Sequence, residues 1–150
     1  MSNEPSLQEL LFPEGKCFGC GPANPHGLRL RSFNKDNHVS ADWQPSEYHC
    51  GWPGIMCGGV MSTLLDCHAL ITAVTAVMNR DGTTEMPIIL AKDFSMRFHR
   101  PTPTELPLHL EGKVVSLEEK GPTVEATLFS AGQLCATFEG RFVIRRKHAA

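Results

Sequence analysis

Three groups of residues have types and spacing that suit chemistry. The first is Asp66 with Gly58 and Gly59, in the segment CGGVMSTLLDCHALITAVTAVM. Asp66 is the only acidic residue of that run, and a helix apolar nearly all round should bury it. An unpaired buried carboxylate is costly, and carboxylates with perturbed pKa values gather at functional sites, so Asp66 is the first candidate for acid–base work. The glycine pair opens the same helix. Glycines there let a ligand come close to backbone N–H groups, where the helix dipole adds partial positive charge. A purely structural reading competes. Ser62 and Thr63, one turn before Asp66, are able to bond it, and the glycines then serve only as a cap or packing contact.

The second group is Cys17 and Cys20, in CFGCGPANPHGL. The pair is half a zinc site, but structural zinc wants four ligands, and only His26 and Cys50 offer themselves. A redox pair would want a thioredoxin-like βαβ context, which the sequence lacks. The expectation is no metal, with the pair in a structured N-terminal loop near the site. The third group is basic. Arg29, Arg31, Lys92, Arg97 and Arg100 suit phosphate, although a solvated sheet face explains any one of them as well. Arg145-Arg146-Lys147-His148 reads as a solvated tail, and His68, on a different helix face from Asp66, as a buried structural histidine.

The elements that position these groups follow from hydrophobic periodicity. Residues 1–26 read as a loop segment, with one apolar cluster (Leu7, Leu10, Leu11, Phe12) that suits a helical turn. Leu28 and Leu30 alternate with Arg29 and Arg31, and Val39, Ala41 and Trp43 repeat the pattern, so 28–44 reads as a hairpin around Asn34-Lys35-Asp36-Asn37. A Pro- and Gly-rich loop, Pro45 to Cys57, leads into a helix from about Gly58 to Asn79 that should be wrapped by other elements. Four alternating strands follow. Phe94, Met96 and Phe98 share one face of the first of these, and short turns favour antiparallel pairing. The order is β-β-α-β-β-β-β in one domain spanning 1–150.

Bulk properties narrow the function. Hydrophobic residues make up 41% and charged residues 20%, with formal net charge −2 and a pI of about 6.4. That balance carries no nucleic-acid footprint. Asp66, His68 and several threonines interrupt the longest apolar stretch, which favours a core helix over a membrane span. The start, MSNEPSLQELLF, lacks a signal-peptide pattern, so a cytoplasmic protein with reduced thiols is expected.

The order of elements, together with particular residues, resembles the hotdog fold and, within it, the PaaI-type (phenylacetate-pathway) acyl-CoA thioesterases. That pattern places His-Gly-Gly at the start of the central helix and an acid nine positions after the His. Here Cys57-Gly58-Gly59 stands at the glycine motif and Asp66 at the acid. DFSMRFHRP is similar to the family's Phe-x-x-Phe-x-Arg-Pro run through Phe98, Arg100 and Pro101, and CFGCGPANPHGL to the N-terminal segment of one bacterial subgroup. The likeness covers roughly residues 17 to 146. It implies an α+β hotdog fold, a curved antiparallel six-stranded sheet wrapped around one long helix. It also implies acyl-CoA hydrolysis in a homodimer or tetramer with active sites at the subunit interface, without metal or organic cofactor. Asp66 would be nucleophile or general base and the Gly59 N–H, or that of Gly58, the carbonyl polariser. Cys57, His49, Gly54, Ser62, Arg97 and Arg100 are the expected substrate contacts.

Thioester hydrolysis needs a donor for the carbonyl oxygen and a base or nucleophile. Such donors contribute about 10²–10³ in rate. Asp66 lies roughly 10 Å along the helix from the glycines, at ~1.5 Å per residue, so the acid is better paired with the glycines of a second subunit. Cys57 departs from the family, with a thiol in place of His. It is a space-filling substitution, a reactive thiol, or the mark of a chain that binds acyl-CoA without hydrolysing it. His49, in the preceding loop, is a candidate stand-in for the imidazole. A hydratase or dehydratase on the same fold is a further alternative, although that chemistry pairs an acid with the His missing here.

Overall fold

The computed structural model describes residues 3–145. It contains α1 (Leu7–Leu11), β1 (Ser32–Asn34), β2 (Val39–Trp43), a 3-10 turn (Glu47–His49), α2 (Gly58–Asp81), β3 (Ile88–Phe98), β4 (Leu108–Glu118), β5 (Gly121–Ser130) and β6 (Gln133–Arg145). The six strands form one sheet in the order β1-β2-β4-β5-β6-β3, antiparallel throughout. This is the expected architecture.

α2 forms because the segment between the glycine pair and Gly82 contains no proline and is rich in Leu, Ala and Met. It ends where Gly82 takes the left-handed conformation and its N–H bonds the Met78 carbonyl. Met61, Leu64, Leu65, Ile71, Val74 and Val77 bury one flank of α2 against Leu108, Leu110, Val124, Leu128 and Phe138 of the sheet. The helix is long and apolar enough to cross a membrane, yet 61% of its most apolar window is buried within the molecule.

Two expectations need correction. Residues 28–31 are not strand, and β1 begins at Ser32. The N–H groups of Leu28 and Leu30 bond the carbonyls of Phe18 and Gly19 in the N-terminal loop, and Arg29 has φ of 55°. The alternation was real, since both leucines are buried, but its partner is a loop. α2 is also less wrapped than expected: the stripe through Gly59, Ser62, Thr63, Asp66 and Leu70 is partly open. Phe94, Met96 and Phe98 share one face of β3 as the alternation implies, and on this edge strand Phe94 and Phe98 are 47% and 53% exposed. Of the basic tail, Arg145 is exposed, while 146–148 lie outside the described residues.

Candidate functional site

The start of α2 is held by the loop before it. Cys57 is the N-cap, with its N–H bonded to the His49 carbonyl and no side-chain cap bond. The first ladder bond runs from Met61 N–H to the Cys57 carbonyl, so the N–H groups of Gly58, Gly59 and Val60 precede the ladder. A Cβ on Gly58 would stand 3.2 Å from Phe98 Cζ, so a side chain there would press on β3. Beside this helix start lies a pocket of about 540 Å³, lined by Trp52, Ile55, Met56, Gly58, Met61 and Phe98, with Arg100 at its edge. Gly54, at φ of 80°, makes the turn of that loop and its carbonyl accepts the Thr104 N–H.

Asp66 sits on the open stripe of α2, seven residues after Gly59. At ~100° per residue that places the two on one helix face, about 10 Å apart. Its Oδ1 is buried and has no hydrogen-bond partner among the described residues. Ser62 donates instead to the Gly58 carbonyl and lies 3.2 Å from Met96 Sδ, and Thr63 donates to the Gly59 carbonyl. Of the structural alternatives for Asp66, a bond from a neighbouring hydroxyl or from a partner chain, the first is therefore not realised. Burial first, and the nearby Cys17 second, push its carboxyl above the ordinary range. A carboxylate so placed is a stronger base than a solvated one.

No family model and no curated protein matches the chain, but solved structures do. A thioesterase superfamily protein shares 28% identity at a TM-score of 0.66, with 95% of this chain and 71% of the other covered. A thioesterase superfamily protein of Shewanella loihica PV-4 shares 26% at 0.65, covering 83% and 98%. A phenylacetic acid degradation-related protein of Ralstonia eutropha JMP134 is 16% identical at 0.70, covering 91% and 98%, a likeness of fold. The chain has the hotdog fold and is similar to proteins of the thioesterase superfamily. The resemblance to PaaI-type proteins agrees with these neighbours.

In this hotdog protein the remaining predicted contacts are dispersed. The His49 ring packs on Trp43 at 4.8 Å, and its Nδ1 accepts the Ser46 N–H, so that nitrogen caps its own turn. Arg97 lies on the opposite face of β3 from Met96 and Phe98, in a depression with Glu125 and Glu139 that is poorly suited to phosphate. Arg100 donates to Leu134 O and Gln133 Oε1. Arg31 is paired with Glu9, whose carboxyl is held down at about 2 chiefly by that guanidinium, and Arg29 donates to Asn24 O. His68 is the buried structural histidine expected. Ser32 Oγ–H donates to its Nδ1, and its Nε2–H donates to Val39 O.

One grouping was invisible in the sequence. The hotdog core brings Cys67, adjacent to Asp66, onto Cys17 and Cys20, all three Sγ atoms lying within 4.8 Å of one another. Neither His26 nor Cys50 joins them. The thiol of Cys67, then backbone N–H groups of Cys20 and Gly19, hold Cys17 down at about 5, while Cys67 is pushed up chiefly by Cys17. The only clue in sequence was a third cysteine beside the suspect acid.

Proposed function

We propose that the protein hydrolyses an acyl-CoA thioester in a homodimer, with Asp66 of one subunit facing the Gly58–Gly59 helix start of the other. The observation that carries this reading is the buried, partnerless Oδ1 of Asp66 on the same helix face as Gly59. Asp66 takes a proton from water, and the water oxygen bonds to the thioester carbonyl carbon. The carbonyl oxygen gains negative charge opposite the Gly59 N–H, in the field of the helix start. The C–S bond then breaks, CoA leaves as thiolate and takes up a proton, and the acid is released. Support for the second subunit comes from β3, an edge strand with exposed Phe94 and Phe98 on one face and, beyond a bulge, exposed Leu90 on the other, apolar surface that pairing with another copy would cover. A neighbour of the same fold from Streptococcus pneumoniae TIGR4, 13% identical, is a hypothetical thioesterase with coenzyme A.

A second reading is acyl-CoA binding without hydrolysis, favoured by the thiol at position 57, where the family pattern has His. Thiol release over a panel of acyl-CoA chain lengths separates the two. Hydrolysis predicts turnover in the wild type that falls by about 10²–10⁴ in Asp66→Ala with the dimer intact. Affinity for acyl-CoA without thiol release on any substrate would establish the binding reading instead.

A further inference from the structure

We propose that Cys17, Cys20 and Cys67 form a thiolate site for one zinc ion, joining the N-terminal segment to α2 beside Asp66. The site does not depend on the thioesterase reading. Cys17 Sγ and Cys67 Sγ are 3.7 Å apart, and all three sulfurs fall within 4.8 Å of one another. Around a tetrahedral zinc with Zn–S of ~2.3 Å, neighbouring sulfurs stand ~3.8 Å apart, so the cysteines mark one triangular face of such a site. Three soft ligands select a borderline-soft, d¹⁰ ion over magnesium or calcium.

The surrounding chain is shaped for this contact. A Cβ at Gly19 would fall 2.4 Å from Cys67 Sγ and 2.9 Å from Thr63 Cγ2, so only glycine lets the loop close on the helix here. Cys20 and Cys67 are buried and Cys17 is exposed, which leaves the ion a path from solvent. Two anchors already hold the loop in register, the bonds from Leu28 N–H to Phe18 O and from Leu30 N–H to Gly19 O. On binding, each ligating thiol that carries a proton releases it to solvent, and water completes the fourth position.

The test is an anaerobic titration of reduced, metal-free protein with Co²⁺. The proposal expects thiolate-to-cobalt charge-transfer absorption that saturates at one ion per chain, bleaches when Zn²⁺ displaces cobalt, and is accompanied by proton release. Cys17→Ser and Cys20→Ser should each lose the absorption, while Cys50→Ser, away from the cluster, should keep it. If a variant fails to fold by circular dichroism, the wild-type titration still decides. Absence of the absorption in fully reduced wild type would overturn the proposal, and so would its survival in folded Cys17→Ser. A disulfide among these cysteines in protein isolated from cells, with no cobalt binding after its reduction, would replace the metal site with a redox pair. Acyl-CoA turnover enters none of these readouts.

Discussion

Asp66 and His68 are two residues apart on α2, and their surroundings differ completely. His68 is fully buried, and both ring nitrogens are used: Ser32 Oγ–H on one side, Val39 O on the other. Gln8 extends the network, donating through Nε2 to Ser32 Oγ and accepting the Ser32 N–H at Oε1. Asp66 is only half-buried, yet its Oδ1 has lost water and gained no donor. A satisfied buried polar group specifies packing, whereas an unsatisfied one lowers stability and persists only where something other than folding retains it. On the proposed function, the two residues divide structure from chemistry within one helical turn.

The largest expected effect tests the chemical side. Asp66→Asn, which keeps shape and removes the base, should lower thioester turnover by about 10²–10⁴. Next comes the subunit pairing. Leu90→Lys places charge on the exposed β3 edge and should shift the protein to monomer in size-exclusion chromatography, with turnover falling in proportion to the dimer lost. A fully active monomer would break the cross-subunit arrangement while leaving Asp66 in play.

The structural side is tested at His68. Its replacement by Ala should cost about 2–4 kcal/mol, since it takes the donor from Val39 O and the acceptor from the Ser32 hydroxyl, and opens a void. Its ionisation gives a second measurement. Burial first, then the charges of His109 and His38, outweigh the Val39 bond and the smaller pull of Glu111, holding His68 down at about 4 from 6.5. The unfolded chain therefore takes up the proton first. Stability is undiminished above pH 6.5, falls as pH drops toward 4 and levels off below, with about 3 kcal/mol at stake. Denaturant midpoints across that range should show the slope in wild type and lose it in a folded His68→Gln variant.

The sequence made α2 and the last four strands legible because their periodicity is local: apolar residues recur along a helix or alternate along a strand whatever lies across from them. It made Asp66 legible for the same reason, as a break in that pattern. What it could not carry was pairing between distant segments. Leu28 and Leu30 alternate like a strand, but their N–H groups go to Phe18 and Gly19. Phe94 and Phe98 share a strand face, but nothing local showed that the sheet order makes β3 an edge. Cys67 joins Cys17 across 50 residues of chain, a contact no spacing rule anticipates.

The smallest effect is the most discriminating, because its sign is opposite to that of the largest. The folded Asp66 carboxyl is raised above its ordinary 3.8, so the folded chain holds this proton more tightly than the unfolded one. Its contribution to stability is greatest in acid, below the unfolded value, and is lost as pH rises through the folded one. At neutral pH the charged, donorless oxygen is a burden. Asp66→Asn removes the charge and should raise the denaturation midpoint, by about 1 kcal/mol or a few degrees, in the same protein that has lost turnover. If Asp66 were a structural partner for a donor on the second subunit, the same substitution would lower the midpoint. A gain in stability together with a loss of rate is what a carboxylate kept for chemistry predicts, and His68 variants should show no such gain.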